Sequence, residues 1–300
     1  MLINVLNKLF IYRVLVPKTL RTLIWKRFLK KQILNSYKDS EDKEVKKITR
    51  FLSNNKLEIF PYNYIFKYRD KNIDVFVDKE KKLNYVFLKE RKKLYFKKNW
   101  SKKRIKKAFK QLLIEQDNDS PHRYLTNDFN VNKNSIVVDI GCAEGNFSLD
   151  IIDKVKHVYL FESDNAWIKP LKATFEKNKE KVTIVNKKLS NYDSDTTVNG
   201  NSFFKEKKIN FLKIDVDGAE KEVVLGLSKI IENSKKMQIA FCTYHSKNDY
   251  KLYSNYFIKN GYKVDHSNGF TIFYWDKTII YPYLRRGLIR ANKPKLKIDY

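Results

Sequence analysis

The stretch IVVDIGCAEGNF, residues 136–147, decides the fold class of this chain. A mostly apolar run ends at Gly141, a second glycine follows at Gly145, and the residues after it have helical spacing. Glycine lets the backbone turn sharply and approach a ligand closely, and a helix that starts after such a turn presents free N–H groups. The stretch therefore predicts a buried strand, a tight turn and a helix beside a binding site.

The same alternation of strand and helix continues toward the C terminus. Further strand-like runs are HVYLFE at 157–162, VTIVN at 182–186, INFLKID at 209–215 and MQIAFCTY at 237–244. Buried runs separated by helices are typical of a parallel sheet covered on both faces. Residues 262–276 predict two more strands joined by a hairpin turn at Asn268-Gly269. We expect an α/β fold: a doubly wound, mostly parallel seven-stranded sheet with an antiparallel C-terminal hairpin.

The N-terminal third follows other patterns. Leu20, Ile24 and Phe28 form an apolar stripe beside many basic residues, which predicts a basic amphipathic helix. Alternating apolar residues between 60 and 98 predict an antiparallel meander, and helical spacing resumes at 101–116. The expected divisions are a basic helical segment at 1–36, a smaller basic α+β region at 37–116, the α/β domain at 117–280 and a basic tail at 281–300.

The net charge of +28 is unevenly distributed along the chain. Residues 1–36 carry +8 and residues 37–115 carry +13, whereas residues 116–280 carry only +2. A lysine-rich composition can arise from an AT-rich genome without any partner, but the segregation predicts that the N-terminal region and the tail face something anionic. An anionic membrane surface is one expected partner; the alternative is that the apolar stripe packs on the next domain.

The cysteines and the first residues bear on the compartment. Cys142 and Cys242 are a hundred positions apart, so neither a disulfide framework nor a zinc cluster is expected. Lys8 and Arg13 interrupt the first apolar stretch, which is unlike a secretory signal, and no run reaches the ~18 apolar residues of a membrane-spanning helix. These features favour a cytoplasmic protein, with membrane association through the N-terminal region as an added expectation.

The glycine spacing of the loop separates two classes of cofactor. A dinucleotide fingerprint needs Gly-x-Gly-x-x-Gly around a pyrophosphate, but Ala143 takes the second glycine position and Asn146 the third. Asp139 instead resembles the acidic start of the S-adenosyl-L-methionine loop, Asp-x-Gly-x-x-x-Gly, where the ligand's methionine part carries an ammonium. The expected cofactor contacts in this loop are Asp139, Gly141, Cys142, Ala143, Gly145, Asn146 and Phe147.

Two further strand ends supply expected cofactor contacts. Glu162 ends the second strand of the sheet, where a carboxylate can accept hydrogen bonds from both ribose hydroxyls. NAD enzymes also place an acid there, so Glu162, with its neighbour Ser163, does not choose the cofactor alone. Ser190 and Asn191 follow the third strand, where such folds place a polar group for the adenine amino group, although both residue types also favour turns.

The segment KIDVDGAE, residues 213–220, brings three acids to the carboxyl edge of the sheet, where ligands of open α/β sheets bind. Together with the loop at 139–147 and Phe161-Glu162, it resembles the FkbM-type S-adenosylmethionine-dependent methyltransferases over residues 120–275. The resemblance implies the class I methyltransferase (Rossmann-like) fold, and O-methylation, often of sugar hydroxyls in natural products and surface glycans. Ala143 and Asp217 depart mildly from the commonest glycine and glutamate.

Methylation of a hydroxyl requires a proton acceptor. His245 follows the fifth strand at the functional edge, and His122 lies just before the first strand; both are expected on the substrate side of the site. Asp215 and Asp217 could instead accept the proton, or hold Mg²⁺ together with His245. Asp215 is also an expected cofactor contact. The other two histidines are expected to be structural.

The sequence therefore predicts an S-adenosylmethionine-dependent O-methyltransferase whose acceptor is a saccharide of surface glycan or polysaccharide biosynthesis. Enzymes that methylate base amines carry Asn or Asp followed by Pro-Pro and an aromatic residue after the fourth strand, and this motif is absent. Nucleic acid is therefore not the expected partner. Two alternatives remain: an idle methyltransferase fold that binds anionic membranes or glycans, and an RNA 2′-O-methyltransferase suggested by the lysines.

Overall fold

The computed structural model describes residues 17–293. Its first two helices are α1 (Lys18–Ser36) and α2 (Lys43–Asn54). Helix α1 buries Trp25, Leu29 and Ile33, a stripe with a spacing of four residues, against α2 and against residues near 272–284. This face is not the expected stripe, because Leu20 and Ile24 are exposed. The first 16 residues of the predicted basic segment lie outside the described residues.

A small antiparallel sheet and one helix complete the N-terminal region. The sheet consists of β1 (Phe76–Asp78), β2 (Leu83–Phe87) and β3 (Lys93–Tyr95), in that order. It confirms the predicted meander, although the strands occupy only part of residues 60–98. Helix α3 (Lys102–Glu115) follows and buries Ile105 and Phe109, as its apolar spacing predicts. Short 3-10 turns lie at Asn63–Tyr68 and Lys89–Arg91.

Within residues 17–293 the central sheet has seven strands: β4 (Ile136–Ile140), β5 (His157–Phe161), β6 (Val182–Val185), β9 (Phe211–Ile214), β10 (Gln238–Cys242), β11 (Lys263–His266) and β12 (Leu288–Asn292). Their order across the sheet is β11-β12-β10-β9-β4-β5-β6. Strands β4, β5, β6, β9 and β10 pair in parallel, and β12 runs antiparallel to both neighbours. The predicted fold class is confirmed.

Helices cover both faces of this sheet. They are α4 (Asn146–Ile151), α5 (Ile168–Thr174), α6 (Gly200–Phe203), α7 (Glu220–Gly226), α8 (Ser228–Asn233) and α9 (Asp249–Lys259), with 3-10 turns at Ile152–Lys154, Asn165–Trp167 and Glu176–Lys181. The short strands β7 (Lys188–Ser190) and β8 (Thr197–Asn199) form a separate parallel pair. Adjacent strand residues enter different hydrophobic clusters: Val137 packs in one and Val138 in the other. Both faces are therefore buried, as the continuous apolar runs require.

The predicted hairpin at Asn268-Gly269 is wrong. Strand β11 pairs with β12, Val264 opposite Ala291, and the long connection 267–287 lies between them. After Gly269 the chain crosses to the N-terminal region, where Ile272 N–H donates to Ile59 O and Tyr274 O accepts from Trp25. The apolar residues after the turn thus cover α1 instead of forming a strand.

Strand β12 lies within residues 281–300, the range that charge alone assigns to a tail. Leu288, Ile289 and Ala291 are fully buried, so the expected boundary at residue 280 falls inside the long connection between two paired strands. Arg285, Arg286 and Arg290 give this segment a positive charge, which is why the charge pattern predicts a tail and not a strand. Among the helices that the structure describes, none is both long and apolar enough to cross a lipid bilayer.

Candidate functional site

An open cleft of about 530 Å³ lies at the carboxyl ends of β4, β5 and β9. Its walls come from the turn after β4, the end of β5, the segment before β7 and the residues that follow β9. The lining includes four acids and two bases, Glu162, Asp164, Asp215, Asp217, Lys187 and Lys188. The cleft therefore suits a ligand that carries positive charge.

The loop after β4 has the tight geometry that its glycines predict. Gly141 has φ +74°, and a Cβ there would lie 2.0 Å from the backbone oxygen of Asp215. Ala143 also adopts a left-handed conformation, φ +47°, which costs a residue with a side chain roughly 1–2 kcal/mol. A hydrogen bond from Ala143 N–H to Glu162 Oε2 at 2.9 Å helps to hold this conformation. The loop is thus fixed from both sides, by β5 and by β9.

Glu162 joins the loop to the opposite wall of the cleft. Its Oε1 accepts from Asp164 N–H at 2.7 Å, while Oε2 accepts from Ala143. Each carboxylate oxygen has two lone pairs, so both oxygens keep an acceptor site for a ligand. The predicted role of Glu162 in binding two ribose hydroxyls is compatible with this arrangement.

Asp139 lies beneath the loop and not in the cleft. Its carboxylate lies 3.0 Å from Lys213 Nζ and accepts from Ser148 Oγ at 2.7 Å. Lys213 in turn donates to Gly141 O at 2.8 Å. Burial disfavours the ammonium, but Asp139 and Asp215 outweigh it and raise the pKa of Lys213 above its ordinary value. This buried pair fixes the turn from below, a role for Lys213 that its sequence context does not predict.

The predicted cofactor residues separate into two groups. Gly141, Ala143, Glu162, Ser163 and Asp215 line the cleft. The others lie elsewhere in the described structure: Asp139, Cys142, Gly145, Asn146, Phe147, Ser190 and Asn191. Asn146 and Phe147 border a different cavity, behind the loop. Lys188 and Leu189 occupy the wall where the adenine contact of Ser190 was expected, and Ser190 is buried.

Asp215 is the centre of a hydrogen-bonded cluster at the end of β9. Tyr124 and Tyr244 each donate a phenolic O–H to its carboxylate at 2.9 Å. Burial opposes ionisation, but His122, Lys213 and His245 together lower the pKa of Asp215 well below its ordinary value. Burial raises the pKa of both phenols, so Asp215 stays ionised and the tyrosines stay protonated donors.

His122 is buried beside this cluster, with only 3% of its surface exposed. Its Nε2 lies 3.6 Å from Asp215 Oδ2 and 3.5 Å from Cys242 Sγ. Its Nδ1 has no hydrogen-bond partner among residues 17–293. Burial lowers the pKa of His122 to about 4 despite the attraction of Asp215. At neutral pH His122 is therefore an uncharged imidazole, in which one ring nitrogen carries the proton and the other is a free acceptor.

His245 has the opposite protonation state. Its Nε2 lies 3.2 Å from Asp217 Oδ1, and its Nδ1 lies 2.7 Å from Glu220 Oε1. Burial disfavours the imidazolium, but Asp217, Glu220 and Asp215 outweigh it and raise the pKa of His245 to about 10. A histidine that is already protonated cannot accept a proton. The raised pKa therefore favours a role for His245 as a cationic partner of these acids over the predicted role of general base.

The expected magnesium ligands do not form a suitable donor set. Protonated His245 lies between Asp217 and Glu220, and the Asp217 side chain is 96% exposed. The ligand atoms of His122, Asp215 and Cys242 do lie within 4.8 Å of one another. That set offers one oxygen ligand beside nitrogen and sulfur, whereas Mg²⁺ prefers six oxygens in octahedral geometry.

A family model described as the methyltransferase FkbM domain matches residues 91–264, more than half of the chain. No curated protein matches the chain by sequence.

Several solved structures are similar to the chain. Methyltransferase FkbM from Methylobacillus flagellatus KT is 16% identical with a TM-score of 0.44, over 54% of this chain and 44% of that one. A precorrin-6y C5,15-methyltransferase from Geobacter metallireducens GS-15 is 11% identical with a TM-score of 0.38, over 55% and 84%. TrmK of M. capricolum, in complex with S-adenosylhomocysteine, is 17% identical with a TM-score of 0.37, over 57% and 70%. The chain thus spans less than half of the first of these proteins.

Proposed function

We propose, from the premise that the chain belongs to the FkbM methyltransferase family, that it methylates a saccharide hydroxyl with S-adenosylmethionine as the methyl donor. The observation that carries the proposal is the buried imidazole of His122, whose Nε2 lies 3.6 Å from Asp215 Oδ2 at the end of the strand that borders the cofactor cleft. Burial lowers the pKa of this imidazole. A neutral amine is nucleophilic without a base, whereas a hydroxyl must lose its proton as it reacts. A buried, unprotonated base therefore favours oxygen as the methyl acceptor.

The residues of the cleft fit S-adenosylmethionine. The acids of the lining complement its sulfonium and ammonium charges, and Glu162 has free acceptor sites for ribose hydroxyls. Close approach to the turn is possible because Gly141 has no side chain and Ala143 has only a methyl group. A dinucleotide would instead bring a pyrophosphate to a loop whose third glycine position holds Asn146. The acids of the cleft and the glycine pattern of the loop thus support S-adenosylmethionine over NAD as the cofactor.

When bound, S-adenosylmethionine would supply an electrophilic methyl group for the acceptor oxygen and would leave as the neutral thioether S-adenosylhomocysteine. The chain contributes alignment, which can supply ~7–11 kcal/mol, and proton acceptance, which contributes about 10²- to 10⁴-fold. We assign the acceptor proton to His122 Nδ1. Asp215 faces the other nitrogen of the ring and stabilises the imidazolium that forms, as the carboxylate does in a Ser-His-Asp triad.

The proposal is tested by incubating the full chain with methyl-labelled S-adenosylmethionine and, in parallel, cell-envelope glycan and total RNA. We expect label in glycan that survives mild base, because ethers resist the hydrolysis that removes methyl esters. The Glu162→Ala variant serves as the control and should transfer little label. Label in RNA alone would support the RNA 2′-O-methyltransferase instead, and no label in either substrate would support the idle binding module.

The N-terminal helix bears on the expected contact with an anionic membrane. Its buried stripe packs on the chain itself, while Leu20, Leu23 and Ile24 are exposed next to basic residues. An exposed apolar edge with flanking cations can bind anionic lipid. We retain membrane association and a cytoplasmic location as predictions.

A further inference from the structure

A second cavity, of about 200 Å³, shares a lining residue with the cofactor cleft. Tyr244 borders both spaces, and its hydroxyl donates to Asp215. The cavity is bounded mainly by aromatic side chains, together with one histidine and one glutamate; the lining includes Phe60, Glu115, His122, Tyr244, Phe273 and Trp275. It therefore adjoins the reacting edge of the sheet without being part of the cleft.

We propose that this second cavity is the acceptor pocket and that it selects one uncharged sugar ring, with Glu115 hydrogen-bonded to a hydroxyl beside the one that His122 deprotonates. The proposal rests on the proposed function and adds the identity of the pocket, its preference for neutral acceptors and a binding residue, Glu115. The segments that build the pocket come from α3, from the chain around residue 60 and from the long connection between β11 and β12.

The charge of the pocket argues for a neutral acceptor. Among the described residues that line it, none is Lys or Arg. An acceptor carboxylate or phosphate would therefore be desolvated with no lysine or arginine in the lining to pair with it, and it would lie near ionised Asp215, which is costly. Burial raises the pKa of Glu115 to about 8, so at neutral pH it presents a neutral carboxyl group that both donates and accepts. Gln111 Nε2 donates to Glu115 Oε1 at 3.2 Å and orients it.

The shape of the pocket argues for a single ring with hydroxyls. The walls include Phe60, Tyr244 and Phe273, and Trp275, 54% exposed, adds an aromatic surface that solvent reaches. Aromatic faces pack well against the C–H face of a sugar ring. His122 Nδ1 is buried without a partner in the described structure, and an unsatisfied buried polar atom costs ~1–3 kcal/mol. A hydroxyl of the occupant would satisfy it.

The pocket is tested by NMR on full-length protein with ¹³C-labelled histidine, saturated with S-adenosylhomocysteine. Methyl glycosides of neutral hexoses are titrated to about 100 mM, since isolated sugars bind weakly, and the matching uronates are titrated in parallel. We expect at least one neutral glycoside to shift the His122 ring resonance but not that of His157, and its uronate to bind at least about tenfold more weakly. Glu115→Ala should weaken the glycoside about tenfold, whereas Glu115→Gln and Glu222→Ala, an exposed control, should not.

Three results would overturn the assignment of the pocket: no shift of His122 with any neutral glycoside, equal binding of the uronate, or unchanged binding by Glu115→Ala. Failure of the proposed function has a different signature. If glycosides move His122 but no substrate accepts label from S-adenosylmethionine, the pocket stands and the methyl transfer does not. If label is transferred but no glycoside moves His122, the acceptor binds elsewhere.

Discussion

Replacement of His122 by Asn is expected to lower kcat for methyl transfer by about 10²- to 10⁴-fold, the range that a general base contributes. Asn is polar and smaller than His, but it cannot accept the proton of a hydroxyl at neutral pH. His122 is outside the cleft lining, so the affinity for S-adenosylmethionine should change little. Single-turnover transfer of labelled methyl measures the rate, and calorimetry measures cofactor binding on the same sample.

His157→Gln is the matched control for this variant. His157 Nε2 contacts Thr183 Oγ1 at 2.9 Å, at the start of β5 and thus at the edge of the sheet opposite the cleft. The kcat of the His157→Gln variant should equal that of the wild type. A His122→Asn enzyme with unchanged kcat would contradict the assignment of the base, while loss of cofactor binding in that variant would show that its fold had been damaged.

Replacement of Glu162 by Ala is expected to weaken S-adenosylmethionine binding by about 10²- to 10⁴-fold. Two hydrogen bonds from ribose hydroxyls to a carboxylate contribute ~1.5–3 kcal/mol each, and every ~1.4 kcal/mol is a factor of ten. The same change removes the carboxylate from Ala143 and Asp164 N–H, which loosens the loop. Calorimetric titration gives the dissociation constant directly.

Glu162→Gln and Glu222→Ala calibrate that result. Gln retains one oxygen acceptor, so its loss of affinity should lie between those of the wild type and Glu162→Ala. Glu222 is exposed in the first turn of α7 and outside the cleft lining, and its removal should leave the affinity unchanged. Equal affinity in Glu162→Ala and the wild type would place the ribose elsewhere.

The parts of the site that the sequence predicts well are those encoded locally. The loop at Gly141, the strand-ending Glu162 and the acids at 215 and 217 each lie at a boundary between a strand and a turn. The parallel sheet then brings those boundaries to one edge. Recognising the strands from their apolar runs is therefore enough to predict that these residues lie around one cleft.

The parts that the sequence could not predict depend on partners distant along the chain. From the sequence alone, Lys213 is an unexplained charged residue inside a buried strand. The strand register places it beside Asp139 on the neighbouring strand, and the two residues form an ion pair. His122 and Tyr124 meet Asp215 across some ninety positions. The protonation state of a histidine also depends on residues that the fold brings close. The pKa of His245 is raised because the fold places carboxylates around it.

The hairpin error has a related cause. The backbone does turn at Asn268-Gly269, where Gly269 has a left-handed φ of +85°. The residues of a turn do not determine whether a paired strand follows it. Ile272 and Tyr274 pack against helix α1 at the other end of the chain. Long-range packing therefore decided how these apolar residues are used.

Titration of S-adenosylmethionine and of NAD into the wild-type protein, followed by calorimetry, tests most directly whether the cleft after β4 holds a cationic amino-acid cofactor. We predict saturable one-site heat with S-adenosylmethionine, lost in Glu162→Ala, and none with NAD. Saturable heat with NAD, or no heat with either ligand, would contradict the account.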